Sequence, residues 1–541
     1  MTVRIIVMAL LAVLIVIQLL AARWLKWEEK PKRPVWLGVW LLFGLTAGLF
    51  LVSFTNWFIE YFGQLTAEQF LINLQSPVKG TTKQLWQAFL AGPGLLTLLA
   101  ALCLGLFLHL TKRKRLYIRR DQTADGERKK RQPRAGSAKW NWRRPIAAVL
   151  ALIVLLSGGA YTVKMLHLRQ VLAAYRDSST YIEDHYVDIR DVKTSFPQTK
   201  RNLIHIYLES VENSYFDRSL GGHMEDNLMP ELAKLSKEGV SFSHQEGMGG
   251  PYQTFGSAWS VAAMVNMSGG VPLKVGVKRN AYGLDGSFLP GLYNLADYLH
   301  DNGYEQTVMF GADADFGGLT AFFNTHGNVH IFDYKYAMQE KLIPEGYDVW
   351  WGFEDDKLYE FAKQEITRLA QTGKPFHFAI ENADTHYPHG YLSEKAPTPY
   401  EDHYANVIAY SSSEVVKLVR WIQEQDFYAN TTVVLTGDHL SMDTDFFQDF
   451  DPNYRRSTYN LFLNAPIQPV QTKHRQYAPL DFYPTIVAAM GIEIEGDRLG
   501  LGTNLFSERQ TLIEEDGFEL FESELGKHSY FFTEQIVKPK N

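Results

Sequence analysis

The sequence predicts two parts: an N-terminal α-helical transmembrane domain over residues 1–163 and an α/β soluble domain over 197–541, a mainly parallel sheet sandwiched by helices. Three observations predict this. Four apolar stretches, 5–22, 35–56, 89–110 and 145–163, each have the length of a bilayer span and all fall early in the chain. From about residue 197, β-branched apolar runs alternate with helical patterns, as strand–helix units do. Charge divides where the fourth apolar stretch ends: 22 Lys and Arg against 7 Asp and Glu in residues 1–163, but 31 against 53 in residues 164–541.

The first span follows Arg4 and ends near Ala21-Ala22, which also fits a signal peptide; the long core and the later spans favour a membrane helix. The loops set an orientation. Arg23, Lys26, Lys30, Lys32 and Arg33 crowd one, and Lys112-Arg113-Lys114-Arg115, Arg128-Lys129-Lys130-Arg131 and Arg143-Arg144 crowd another. The positive-inside rule puts both in the cytoplasm, so 57–88, the N-terminus and everything after the fourth span lie outside. Residues 164–196 read as a helical stalk and linker.

The acidic second half argues against a nucleic-acid partner, because phosphate contacts need clustered Lys and Arg. The single cysteine, Cys103, lies in an apolar run, so the second half can form neither a disulfide nor a cysteine zinc site.

Within the soluble part, strands are expected at 203–208, 240–244, 306–310, 375–380 and 432–436. Helices are expected near 229–238, 291–302, 354–371, 403–425 and 480–490. Gly239, Gly303 and Gly491 sit just past helical stretches, where a left-handed cap is expected.

Two of these strands end in metal-binding side chains: Ile204 to Ser210 in Glu209, and Val433 to His439 in Asp438 and His439. In open α/β sheets the chemistry gathers at the carboxyl ends of strands, so the three side chains should converge, which points to a metal enzyme. Between them, Gly247-Met248-Gly249-Gly250-Pro251-Tyr252-Gln253-Thr254 precedes a small-residue helix over Phe255–Ser260. A hydroxyl there is placed as a nucleophile, with helix start and metal lowering its effective pKa. A Gly-rich turn with Thr as helix cap is the plainer reading of that loop alone. A further strand end reads Glu381-Asn382-Ala383-Asp384-Thr385-His386-Tyr387-Pro388-His389. His386 could serve a phosphoryl oxygen or leaving alkoxide, His389 could assist, and Asp384 could orient either ring; local turn caps explain the same residues equally well.

Taken together, Tyr207-Leu208-Glu209-Ser210, Pro251 to Thr254, Asp384-Thr385-His386 and Asp438-His439-Leu440 resemble the membrane-bound, sulfatase-like phosphoglycerol transferases of the alkaline phosphatase superfamily, lipoteichoic acid synthases among them. The likeness runs from about 200 to 505, in the family's motif order. It implies one divalent metal held by Glu209, Thr254, Asp438 and His439, with Mn²⁺ first and Zn²⁺ or Mg²⁺ as alternatives, since three of the four ligands bind through oxygen. It implies Thr254 as nucleophile on phosphatidylglycerol, release of diacylglycerol, and transfer to an extracytoplasmic glycan, with His386 at the phosphoryl or leaving oxygen. It also implies a bacterial cytoplasmic membrane, whose lipid supplies the donor.

The chain departs from that pattern after the third strand. Lipoteichoic acid synthases carry an Arg there, whereas Phe310 to Gly318 has none, which favours single decoration of a glycan over polymer synthesis. Asp313, Asp315 and His326 are candidates for glycerol or acceptor hydroxyls, or solvated loop residues. No Cys/Ser-x-Pro-x-Arg surrounds residue 254, which argues against sulfate ester hydrolysis. The alternatives are a phosphoethanolamine transferase of the same fold, or a non-catalytic membrane-anchored protein that binds glycan or lipid. Trp351 and Trp421 read as core or acceptor-platform residues, Arg455 and Arg456 as contacts to an anionic donor or, more plainly, surface salt bridges, and His205 stays outside the site.

Overall fold

A computed structural model describes residues 2–24, 27–29, 35–62, 83–116, 143–169, 176–274 and 286–538. The chain divides into two units, with one boundary between Leu168 and Arg169.

The first unit is helical: α1 (Thr2–Trp24), α2 (Val35–Phe62), α3 (Leu95–Arg113) and α4 (Arg143–Met165). Three stretches among the described residues are long and apolar enough to cross a membrane: Gly38–Phe62, Leu85–Leu108 and Ala148–Met165. The expected first span lies in α1, whose apolar part among the described residues, Val7–Leu20, is shorter. Pro93 cannot donate to a helical ladder, and it sits in a π-helical turn, Leu90–Gly94, that leads into α3. Helices α2 and α4 touch through small residues. A Cβ on Gly48 would stand 2.6 Å from the Val154 carbonyl, and one on Gly158 would stand 2.6 Å from the Gly48 carbonyl. Of the two basic loops, Trp27–Glu29 and Lys114–Leu116 pair antiparallel, which brings the loops to one side of the helices. Most of the remainder of both loops, and residues 63–82, lie outside the described residues.

The second unit centres on six strands: β1 (Asn202–Leu208), β2 (Glu305–Phe310), β3 (His330–Phe332), β4 (Phe376–Glu381), β5 (Thr431–Gly437) and β6 (Asn460–Leu463). Their order is β3-β2-β4-β1-β5-β6, all parallel except β6. Helices α5 (Ser260–Gly269), α6 (Leu295–Asp301), α7 (Asp355–Gln371), α8 (His403–Gln423), α9 (Phe482–Ala489) and α10 (Phe518–Gly526) belong to the same unit. The strands are buried on both faces, as a parallel sheet under helices requires. Their period of two sorts side chains into two cores. Leu203, Tyr207 and Val434 pack with α5 and α9, while Ile204, Ile206, Val433 and Leu435 pack with α7 and α8.

Some expectations move. The run 240–244 makes one bridge, Val240 to Phe462, rather than a strand. Strands β3 and β6 were not anticipated. Gly303 and Gly491 take the left-handed conformation expected of caps, but Gly239 is extended. Its lack of side chain serves close approach instead, since a Cβ there would lie 2.4 Å from the Phe462 carbonyl. The expected linker is shorter than 164–196: from residue 176 the chain packs onto the soluble unit, with Ile182 and Ile189 buried in its core. The segment before it, 170–175, lies outside the described residues.

Candidate active site

Strands β1 and β5 are neighbours in parallel register, Leu208 opposite Gly437, so their next residues emerge side by side. Glu209 and Asp438 continue the face of Tyr207 and Val434, the face that carries α5. One ligand atom from each of Glu209, Asp438 and His439 falls within 4.8 Å of the others, and all three residues are buried. His439 Nε2 lies 3.6 Å from Glu209 Oε1 and 3.4 Å from Asp438 Oδ2. Its Nδ1 donates to the Leu440 carbonyl at 2.9 Å, which turns Nε2 toward the carboxylates.

The backbone around these groups is fixed by polar contacts. Asp438 Oδ1 accepts from the amides of Ser210 (2.8 Å) and His439 (2.7 Å). Ser210 holds a positive φ of 56°, an uncommon conformation for a side-chain-bearing residue, and its hydroxyl donates to Glu209 Oε1 at 2.6 Å. The loop after β4 secures Glu209 itself: Asn382 Oδ1 accepts from the Glu209 amide at 2.9 Å, and Thr385 donates to the Glu209 carbonyl at 2.6 Å.

The loop that carries Thr254 meets this cluster by a different route from the one expected. Residues 255–259 form a turn, with Gly256 at φ 70°, and the helix begins only at Ser260. Ser257 closes the turn, accepting from the Thr254 amide at 2.9 Å and donating to its carbonyl at 2.8 Å. Two side chains flanking Thr254 tie the loop to the cluster. Gln253 Oε1 accepts from the Leu440 amide at 2.9 Å, and Ser260 donates to Glu209 Oε2 at 3.0 Å. The Thr254 hydroxyl is buried and has no hydrogen-bond partner among the described residues. The same holds for Asp438 Oδ2.

Charges in the cluster compete for protons. Burial, then the charge of Glu209, pushes the Asp438 carboxyl up to about 7. Burial also raises Glu209, but His439, His386 and the hydroxyls of Ser210 and Ser260 outweigh it and hold that carboxyl below its usual value. Burial lowers His439, and Asp438 and Glu209 overcome it and raise the imidazole. Two buried carboxylates and an aimed imidazole form a donor set that fits one divalent cation. Glu381, at the end of β4, was not foreseen. Burial and then the charges of Asp438, Glu209 and Asp355 push its carboxyl well above the usual range.

The remaining candidates separate. His386 packs against Trp351, ring centroids 4.5 Å apart, and its Nδ1 donates to the Tyr387 carbonyl at 2.6 Å. Its charge acts on Glu209, so it borders the cluster. Asp384 orients neither histidine: its Oδ2 accepts from the Asp355 amide at 3.3 Å. His389 pairs with Asp443 at 3.1 Å, an acid the sequence reading passed over in the run after His439. Asp313 and Asp315 follow β2 and both hold Lys335, Asp313 at 2.7 Å. Phe316 meets Trp351 at 5.3 Å, so one wall runs from that ion cluster to His386. His326 stands apart. Its Nδ1 meets Asp297 at 2.8 Å and its Nε2 the Phe288 carbonyl at 3.0 Å, and the next residue bonds Gln306 at the start of β2, the sheet edge opposite the cluster. Arg456, expected at the surface, clamps the buried Glu212, which also accepts from the Ser441 amide at 2.7 Å. That pair ties the loop after β1 to the loop after β5.

Residues 201–492, more than half of the chain, match the sulfatase family. The chain belongs to that family. The chain is 31% identical over 363 residues to phosphoglycerol transferase I of Xanthomonas campestris pv. campestris, covering 64% of this chain and 50% of the relative. Phosphoglycerol transferase I of Salmonella choleraesuis is 28% identical over 334 residues, covering 60% and 41%. The chain thus spans about half the length of the curated relatives it matches. A solved structure of a protein in the alkaline phosphatase superfamily from Vibrio parahaemolyticus aligns with TM-score 0.49 and 21% identity, over 64% of this chain and 82% of that one.

Proposed function

We propose that this sulfatase-family chain transfers phosphoglycerol from phosphatidylglycerol to an extracytoplasmic glycan, with Thr254 as nucleophile. One observation carries the reading: a buried hydroxyl without a partner among the described residues, on a loop tied on both sides of Thr254 to a cluster of two carboxylates and an imidazole. The names of the curated relatives supply the transferred group.

Glu209, Asp438, His439 and Thr254 would hold one divalent cation, Mn²⁺ in the first instance. When bound, it supplies positive charge that favours an ionised Thr254 hydroxyl and the phosphoryl oxygens. The chain's own residues do the rest. Thr254 Oγ1 gives its proton to solvent and forms a bond to phosphorus as the bond to the diacylglycerol oxygen breaks. His386, with Nδ1 committed to the Tyr387 carbonyl, presents Nε2 to that oxygen and protonates it. A glycan hydroxyl then loses its proton to Nε2 and attacks phosphorus. The Thr254–phosphorus bond breaks, and Thr254 recovers a proton from solvent. Asp313, Asp315, Phe316 and Trp351 form the wall on the acceptor side of His386, where aromatic faces and carboxylates suit a polyol or sugar.

We place the chain in a bacterial cytoplasmic membrane, with the soluble unit outside the cytoplasm. The basic loops support this, as does the pairing of Trp27–Glu29 with Lys114–Leu116, which puts the two loops on the same side.

The test is mass spectrometry of the full-length protein in detergent after incubation with phosphatidylglycerol and Mn²⁺, beside Thr254→Ala. A phosphoglycerol adduct on the Thr254 peptide, absent from the variant, is expected. An adduct formed only from phosphatidylethanolamine would change the donor. No adduct from either lipid, with metal bound, would overturn the nucleophile assignment.

A further inference from the structure

Helix α10 lies beyond residue 492, outside the matched family region, yet it holds the loop that carries Thr254. Three contacts make the attachment. Glu522 Oε2 accepts from the amide of Phe255, the residue after Thr254, at 2.8 Å. The ring of Phe518 stands edge-on to Tyr252, two residues before Thr254, with centroids 5.4 Å apart. Lys274 sits 4.7 Å over the Phe255 ring while donating to the carbonyls of Leu525 and of Lys527, the latter at 2.7 Å.

Of these, the Glu522 contact bears most directly on the nucleophile. The Thr254 amide is already taken by Ser257, so the turn holds itself on one side only. The Phe255 amide points out of that turn, and Glu522 is its acceptor. On its far side the Gly256 carbonyl accepts from the Leu273 amide at 3.0 Å, and a Cβ on Gly256 would lie 2.7 Å from the Leu273 carbonyl, so the loop is packed closely at that point. Helix α10 is itself braced from another direction. Ser179 donates to Glu524 at 2.6 Å, and the His528 amide donates to the Asp177 carbonyl at 2.9 Å. A carboxylate on a braced helix is a rigid stop for a loop.

We propose that Glu522 is a positioning residue for catalysis: by accepting from the Phe255 amide, it holds the Thr254 hydroxyl in register with Glu209, Asp438 and His439. This rests on Thr254 being the nucleophile. A loop released by a fraction of an ångström still admits substrate but presents a misplaced hydroxyl. The loss therefore falls on turnover, and displacement of about 1 Å costs on the order of a hundredfold. Binding of the lipid, made elsewhere, is kept.

The experiment measures diacylglycerol release by the full-length protein in detergent with phosphatidylglycerol and Mn²⁺, for Glu522→Ala, Glu522→Gln, Glu524→Ala and Thr254→Ala. Glu522→Ala should lower kcat about tenfold or more with KM for the lipid changed less than about twofold. Glu522→Gln keeps an oxygen acceptor and should recover most of that loss. Glu524→Ala removes one brace of the helix but leaves the Asp177–His528 contact and the Glu522 acceptor in place, so it should lower the melting temperature and cost less kcat than Glu522→Ala. Native kcat in a folded Glu522→Ala protein, or a Gln variant as impaired as the Ala variant, overturns the proposal. Should Glu522→Ala fail to fold, Glu522→Asp decides: kcat falls if the reach of the acceptor matters and holds if it does not. Activity retained by Thr254→Ala would instead remove the nucleophile assignment, leaving a distinct signature.

Discussion

His439 Nε2 and Glu209 Oε1 lie 3.6 Å apart, although one side chain follows β5 and the other closes β1. Parallel pairing of the two strands in register makes that meeting unavoidable, and the Leu440 carbonyl fixes which imidazole nitrogen takes part.

A cation should therefore depend on Glu209 more than the fold does. In Glu209→Gln one negative charge leaves the cluster; the amide oxygen keeps the hydrogen bond from Ser210 or Ser260, and the other hydroxyl turns to accept from the amide NH2. Metal retained after dialysis should fall at least about tenfold, and the rise in melting temperature on adding Mn²⁺ should shrink with it. A variant that keeps one equivalent of metal and the full thermal shift would remove Glu209 from the ligand set.

Thr254 offers a sharper contrast. Its hydroxyl is buried and lacks a partner among the described residues, a state that costs about 1–3 kcal/mol. Valine has nearly the same shape without the hydroxyl. Metal-free Thr254→Val should thus be more stable than the native protein, by about 1 kcal/mol in denaturant unfolding, whereas with saturating Mn²⁺ the native protein should lead. Equal stability in both conditions would mean that the hydroxyl serves neither metal nor packing.

The two strand ends were legible in the sequence because their apolar runs are local and finish in ligand-type residues. Neither β3 nor β6 was, since three or four residues carry too little periodicity to stand out. Long-range partners were hidden for a different reason. Glu212 and Arg456 look like ordinary loop charges until β1 and β5 bring their loops together. Likewise, Asp443 beside His389, Ser260 beside Glu209 and Glu522 beneath Phe255 are pairings across loops, which no spacing rule encodes. The helix after Thr254 was placed too early because the small residues at 256–258 suit a tight turn as well as a helix. Asp384 misled because adjacency to His386 in sequence suggested contact, whereas its carboxylate turns to the start of α7.

That burial gives Asp384 a measurable consequence. Burial first, and then the charge of Asp355, pushes its carboxyl up to about 10, and Asp355 itself is pushed up to about 6, chiefly by burial. An unfolded Asp titrates near about 3.9. Between about pH 4 and 10 the folded protein therefore holds a proton at Asp384 that the unfolded chain has released. The contribution of Asp384 to stability is complete below about pH 4 and declines as pH rises toward 10. Asn matches the neutral carboxyl in shape and does not titrate, so Asp384→Asn should lose less stability with rising pH. The variant should gain on the native protein by about 2 kcal/mol or more between pH 5 and 9. Asp355 remains in both proteins, so the difference between their unfolding curves isolates Asp384. The effect should reach activity as well, because Asn382 and Thr385 in the same loop hold the backbone of Glu209. The alkaline fall in diacylglycerol release should then move to higher pH in Asp384→Asn. Parallel stability curves for the two proteins would show that the Asp384 carboxyl is ionised in the fold, with a donor at hand that outweighs its burial.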